Sequence, residues 1–160
     1  LEVRGVSHVQ SGYCGGTVPD PSYELVCSGR TGHAETVQLT FDPEVVSYRD
    51  LLMVFFLIHD PTTLNRQGAD VGTHYRSAIF YSNDEERELA EASKAEMEAR
   101  FDQEITTDIL PASEFWTAEE YHQDYYEKNP LRYKFYRLSC GRDDRLEEVW
   151  GEEAGGPTFE

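Results

Sequence analysis

The stretch of residues 59–77 contains an unusual density of side chains that can do chemistry. It holds two His, two Arg, two Asp and a Tyr together with two Gly. A long connection without regular structure is uncommon in a compact domain and is often functional. Asp70 lies between Gly68 and Gly72, where the backbone can turn tightly, so it is either a reactive carboxylate or an ordinary turn residue. We interpret the stretch as an active-site loop.

A second candidate is an acidic residue on an apolar strand face. Residues 33–41 alternate in a way that predicts a strand, and Glu35 shares its face with Val37 and Leu39. A carboxylate there is costly unless it is paired or protonated. Loss of hydration raises its pKa, which suits it to donate a proton at neutral pH. A salt bridge to Arg30 or Arg76 is the alternative.

Two tyrosines, Tyr23 and Tyr75, are predicted to lie in loops rather than on apolar faces. A hydroxyl in such a position can donate a hydrogen bond to a substrate oxygen. The alternative is a packed ring whose hydroxyl is satisfied within the protein. Spacing alone does not decide between these two roles.

The histidines and cysteines form no compact metal-binding motif. Four His residues match no ligand spacing, which favours structural roles or supporting roles beside a site: His33, His59, His74 and His122. The three cysteines, Cys14, Cys27 and Cys140, are too few and too widely spaced for a secreted disulfide scaffold. Cys140 precedes Gly141, a setting that suits either a thiol that must reach a second sulfur or a bystander.

Composition excludes several classes of function. The 160 residues contain 31 acidic and 14 basic side chains, so the net charge of −17 argues against nucleic-acid binding. No stretch approaches the roughly 20 apolar residues of a membrane span. No signal peptide is recognisable, and we expect a cytoplasmic location. The length and the 39% hydrophobic content are typical of one domain with a core.

The predicted elements are those of an α+β protein, a single domain over residues 1–160. Strands are predicted at 6–13, 33–41, 77–81 and 104–110, the last ended by Pro111. Helices are predicted at 48–59 with Ser47 as N-cap, from Asn83 or Asp84 to 100, from Thr117 to about 127, and at 142–150. Residues 17–30 are expected to form a loop, and 151–160 a flexible tail.

Several longer motifs resemble those of the peptide methionine sulfoxide reductase A family. They occur in the family's order over most of the chain: Ser11-Gly12-Tyr13-Cys14-Gly15-Gly16, residues 23–35, residues 59–77, Tyr121-His122-Gln123-Asp124-Tyr125 and Lys128-Asn129-Pro130. The resemblance implies a two-layer α/β roll with a mixed, mainly antiparallel sheet and packed helices. It also implies reduction of the S epimer of methionine sulfoxide, free or in proteins, by a monomer that needs no cofactor and no metal.

In this family a Cys nucleophile attacks the sulfoxide sulfur, and a second Cys resolves the sulfenic acid that forms. Thioredoxin then reduces the disulfide. By resemblance, Glu35 protonates the sulfoxide oxygen, Tyr23 and Tyr75 hydrogen-bond it, and Asp70 orders the loop and a water. His122 joins the substrate-binding residues, and Cys140 matches a region where many members keep the resolving Cys. Cys27 matches a position that is not catalytic, and the role of Cys14 is open.

One family motif is missing from the printed residues. The nucleophile belongs to a Gly-Cys-Phe-Trp motif, which would precede Leu1, so this chain alone is expected to be inactive. Three interpretations follow: the nucleophile lies upstream in the natural protein, the protein is a binding module for oxidised methionine or thioredoxin, or Cys14 substitutes as nucleophile.

Overall fold

The computed structural model describes residues 3–155. Strand β1 (Val6–Cys14) lies at the centre of a three-stranded antiparallel sheet, between β2 (Ala34–Phe41) and the short β7 (Trp116–Thr117). A parallel pair joins β5 (Ala78–Tyr81) to β6 (Asp108–Pro111). The mixed, mainly antiparallel strands with packed helices confirm the predicted α+β class.

Three helices enclose the main core. They are α2 (Tyr48–Leu57), α3 (Asp84–Phe101) and α6 (Arg142–Trp150), which bury Phe56, Met97 and Trp150 against one another. The N-terminus of α2 is fixed by a capping box between Ser47 and Asp50, and the side chain of Asn83 caps α3. Both local signals were correctly predicted from the sequence.

The 59–77 loop is more regular than predicted. It contains a small hairpin, β3 (Arg66–Gln67) with β4 (Asp70–Val71), and a 3-10 turn at Thr73–Tyr75. His59 and Ser77 close its base, since the distance from Nε2 to Oγ is 2.8 Å. The loop is therefore an ordered unit attached at both ends to the core.

Two predicted segments are corrected. Residues 17–30 contain a helix, α1 (Tyr23–Cys27), whose N-terminus is capped by the Ser22 hydroxyl. The helix predicted from Thr117 is wrong: β7 is followed by a 3-10 turn at Glu120–His122 and the short α4 (Tyr125–Lys128). The physical reason is tertiary, because the Gln123 side chain bonds the backbone of Ser11 and Ala118 and holds the chain in a turn.

Other differences lie near the C-terminus and on the sheet. Helix α5 (Pro130–Ser139), which begins on a proline, was not predicted. Strand β6 is shorter than predicted and includes Pro111, its last residue. The face of β2 expected to be buried is open among the described residues, since Val37 and Leu39 are 57% and 38% exposed.

Part of the predicted tail is described. Residues 151–155 are tied to the fold, because the Gly155 amide donates to the Leu57 carbonyl at 2.9 Å and Glu153 pairs with Arg100. Residues 156–160 of the predicted tail lie outside the described residues. Within residues 3–155, no helix has the length and apolar content needed to cross a membrane.

Candidate active site

Four of the residues predicted to do chemistry converge on one place. Glu35 lies near the start of β2, Tyr23 begins α1, Asp70 begins β4 and Tyr75 ends the 3-10 turn. The charge of Glu35 acts on both tyrosines, and the charge of Asp70 acts on Glu35. The fold thus brings together residues that are far apart in sequence.

Glu35 has the electrostatics of a proton donor. Its pKa is raised to about 7, first by loss of hydration around the carboxyl group and second by the negative charge of Asp70. The alternative, a salt bridge from Glu35 to an arginine, is not formed: Arg76 lies 3.8 Å from Asp108, and no ion pair involves Glu35 among the described residues. Glu35 is nevertheless partly exposed, which corrects the expectation of burial and leaves the carboxyl group open to a ligand.

Helix α1 presents Tyr23 and Cys27 on one face, because residues four apart are neighbours on a helix. The interaction of the Tyr23 hydroxyl with the nearby Cys27 thiol, followed by burial, raises the pKa of the tyrosine. Tyr23 is therefore protonated at neutral pH and can donate to a ligand oxygen. His122 borders the site, with its ring centroid 4.6 Å from that of Tyr23.

One carboxylate fixes the beginning of α1. Glu119 accepts hydrogen bonds from the Tyr23 amide and from the Tyr13 hydroxyl, each at 2.8 Å. Partial burial alone would raise the pKa of Glu119, but the hydrogen bonds that it accepts prevail and lower it. This ionised side chain was not singled out in the sequence, and nothing in its spacing indicated that it would meet Tyr23.

The loop contributes Asp70 and Tyr75 to the same site. Burial, followed by the charges of Glu35 and Asp70, raises the pKa of Tyr75 to about 12, so this hydroxyl also keeps its proton. Asp70 accepts a hydrogen bond from the Tyr136 hydroxyl of α5. The loop and the C-terminal helices therefore meet at Asp70.

Cys140 lies at the edge of this region. It ends α5, one turn after Tyr136, and its carbonyl oxygen would be 3.4 Å from a Cβ placed on Gly68 in the β3–β4 turn. The half-buried Cys140 also lines a cavity of about 330 Å³ together with Arg66 and Arg145. The Cys140 residue is thus close to the Asp70 hairpin while remaining partly accessible.

The other histidines differ in role. His33 is structural as predicted: it accepts from the Gly16 amide through Nδ1, so Nε2 donates to the Val18 carbonyl at 2.8 Å. His74, which was expected to have a structural or supporting role, lies beside Cys27 and Glu35. One sequence signal could have placed Cys27 in the site. Ser22 is an N-cap residue, and a helix that begins after it puts Tyr23 and Cys27, four residues apart, on the same face.

Comparisons with known proteins identify the family. The family model for peptide methionine sulfoxide reductase matches residues 1–154. The chain belongs to the peptide methionine sulfoxide reductase family. It is 56% identical over 154 residues to peptide methionine sulfoxide reductase MsrA of Deinococcus radiodurans, covering 95% of this chain and 75% of that protein.

Solved structures share the fold of this chain. Reduced Mxr1 from Saccharomyces cerevisiae superimposes with a TM-score of 0.75 at 40% identity, over 79% of this chain and 74% of that one. Mxr1 in complex with Trx2 gives a TM-score of 0.52 at 26% identity, over 76% and 67% of the two chains. The resemblance found in the motifs is confirmed, and the family match includes every residue of the candidate site.

Proposed function

We propose that this protein reduces the S epimer of methionine sulfoxide, free or in proteins. The observation that carries the proposal is the convergence of the Glu35 carboxyl group with the hydroxyls of Tyr23 and Tyr75. Two hydroxyls that keep their protons and a carboxyl group that is partly protonated at neutral pH can surround one oxygen atom, which is what a sulfoxide requires when its S–O bond is broken. Membership of the family supports the assignment.

One cysteine thiol supplies the two electrons that reduce the sulfoxide. A cysteine sulfur attacks the sulfoxide sulfur, the sulfoxide oxygen is protonated by Glu35, and the oxygen ends on the cysteine as a sulfenic acid. Methionine is released in reduced form and the thiol has been oxidised by two electrons. The two tyrosines hydrogen-bond the oxygen, and Asp70 holds the loop against the site.

We place the attacking thiol in a Gly-Cys-Phe-Trp motif upstream of the printed residues. Cys14 is a poor substitute, because it pairs with Ala34 and so lies on the sheet face opposite to Glu35. Its thiol is also 3.5 Å from the Ser113 hydroxyl and the residue is 3% exposed. The alternative, a binding module for oxidised methionine or thioredoxin, would have no such upstream thiol and would bind without turnover.

Cys140 resolves the sulfenic acid in this proposal. Its thiol attacks the sulfenic sulfur, a disulfide forms and water leaves. A dithiol such as thioredoxin then reduces the disulfide, and the complex of the structurally similar Mxr1 with Trx2 supports that partner. The accessible position of Cys140 beside the Asp70 hairpin suits both exchanges.

The decisive experiment assays the full natural gene product with each epimer of methionine sulfoxide and with thioredoxin. We expect turnover of the S epimer and a fall of about 10²- to 10⁴-fold in kcat for Glu35→Gln, because the general acid is lost. Glu91→Gln, on an exposed position of α3, is the matched control. A Glu35→Gln rate within a few-fold of wild type contradicts the role of Glu35. Saturable binding of oxidised methionine without turnover would instead establish the binding module.

A further inference from the structure

The candidate site contains a second constellation that the proposed reaction does not use. Cys27, Glu35 and His74 each offer one ligand atom, and these three atoms all lie within 4.8 Å of one another. They come from three elements: α1, β2 and the 3-10 turn of the loop. A thiol, a carboxylate and an imidazole at such separations are the donor types that bind Zn²⁺.

We propose that Cys27, Glu35 and His74 form a zinc site that overlaps the reacting centre. Three protein ligands leave a fourth position open to water, the arrangement of an accessible zinc site. The thiol of Cys27 gives up its proton to solvent when the Zn–S bond forms, while Glu35 binds as carboxylate and His74 as neutral imidazole. The prediction of no metal had considered only compact spacings of His and Cys, which cannot reveal ligands from three distant segments.

The state of His74 independently points to a ligand. The residue is only 6% exposed, and its Nδ1 has no hydrogen-bond partner among the described residues. A buried imidazole normally satisfies its ring nitrogens, as His33 does with Gly16 and Val18. His74 therefore carries an unmet bonding capacity while one of its nitrogens lies in the cluster.

The ring of His74 is held where a metal would need it. A Cβ on Gly72 would be 2.5 Å from the His74 Cε1, so only glycine leaves room for the ring in this position. The ring also lies 4.1 Å from that of Tyr75, centroid to centroid. A ligand fixed by its surroundings loses little freedom on binding.

Two neighbours complete the environment. The negative charge of Asp70 acts on both Glu35 and His74, which favours a bound cation. Tyr23 interacts with Cys27, one turn away on α1, and its hydroxyl could donate to the sulfur of a metal-bound thiolate, as outer groups of zinc sites do.

Zinc binding would stop the proposed reaction, and this consequence depends on the proposed function. A carboxylate engaged with a metal cannot deliver the proton to the sulfoxide oxygen. Zn²⁺ should therefore inhibit reduction, and a chelator should restore it. The binding site itself does not depend on any catalytic role.

Binding is tested with Co²⁺ on the reduced full natural gene product, because cobalt thiolates absorb in the near ultraviolet. We expect a saturable thiolate-to-cobalt band that Zn²⁺ abolishes by displacement. Cys27→Ser should remove the band, and His74→Asn should weaken affinity at least about tenfold. Cys140→Ser, a partly exposed cysteine outside the cluster, is the matched control and should keep the band. Circular dichroism checks that each variant is folded.

The outcomes separate the two proposals. Absence of saturable Co²⁺ binding, or a band that survives in Cys27→Ser, overturns the zinc site. Binding with the expected variant pattern but full reductase activity at saturating Zn²⁺ overturns its overlap with the reacting centre. The same binding pattern in a gene product that does not reduce methionine sulfoxide supports the metal site while the proposed function fails.

Discussion

Acidification should destabilise this protein through one half-buried histidine, His59, at the base of the active-site loop. Burial lowers the pKa of His59 from 6.5 to about 4, although the Phe55 carbonyl and Asp60 favour the charged form. Because a carbonyl can only accept, Nδ1 carries the proton that binds Phe55, and Nε2 accepts from the Ser77 hydroxyl. The folded protein therefore holds His59 neutral.

The direction and magnitude of the change in stability with pH follow from the difference in proton binding between the folded and unfolded chain. Above pH 6.5 both the folded and the unfolded chain carry neutral His59, and its contribution to stability is fully present. Between pH 6.5 and about 4 only the unfolded chain takes up the proton, so the free energy of unfolding falls as the pH falls. At about 1.4 kcal/mol per pKa unit the loss is about 3 kcal/mol, a large share of the roughly 5–15 kcal/mol that stabilises a domain.

The assay is urea unfolding at several pH values across this interval, for wild type and His59→Asn. Asparagine keeps a donor for the Phe55 carbonyl and cannot titrate. The stability advantage of wild type over the variant should therefore shrink by about 3 kcal/mol from the upper to the lower end of the interval. His8→Asn, at an exposed position of β1, is the control for removing a histidine. A stability difference between wild type and His59→Asn that stays constant with pH refutes the reasoning.

Two further substitutions test the contacts that hold the site. Glu119→Gln should lower the free energy of unfolding by about 1–3 kcal/mol and reduce kcat/KM, because the charge that accepts from the Tyr23 amide is lost. Thermal unfolding measures the first effect and steady-state kinetics the second. Unchanged kinetics would contradict a positioning role for Glu119. Arg145→Met should lower the free energy of unfolding in urea by about 1–3 kcal/mol, because it leaves the buried Asp60 carboxylate without its partner. The loss should be smaller than for breaking a fully buried ion pair, since the Arg145 side chain is 41% exposed. Adding Asp60→Asn to the Arg145→Met variant should restore part of that stability, because the unpaired charge is removed. A double variant no more stable than Arg145→Met would contradict the ion-pair argument.

Local sequence signals predicted the elements that local chemistry fixes. The caps at Ser47 and Asn83 locate α2 and α3, since the side-chain bonds that begin these helices are made within four residues. Helix α1 was missed because the prolines and polar residues around it are typical of a loop. Its cap, Ser22, was the local signal that outweighed them.

Tertiary contacts decided the rest of the fold. The segment after Thr117 has the composition of a helix, but Gln123 bonds to β1 and forces a turn there. Alternation predicted β2 correctly, yet it could not indicate how much of the strand face carrying Val37 would be covered. Motif resemblance predicted the convergence of Glu35 with the two tyrosines, whereas the approach of His74 to Cys27 depends on how three elements meet and leaves no pattern in the sequence.

The structure divides the site into a fixed part and a movable part. Glu35 is held in the β1–β2 ladder, where it pairs with Tyr13, and moving it would break strand hydrogen bonds. Cys140 is held more loosely on the side of α5, which contacts the loop through the exposed Tyr136. Exposed polar contacts contribute little stability, so displacing Cys140 costs much less than displacing the acid. That division suits the proposed chemistry, because the proton donor must keep its place while the resolving thiol must travel to a second sulfur.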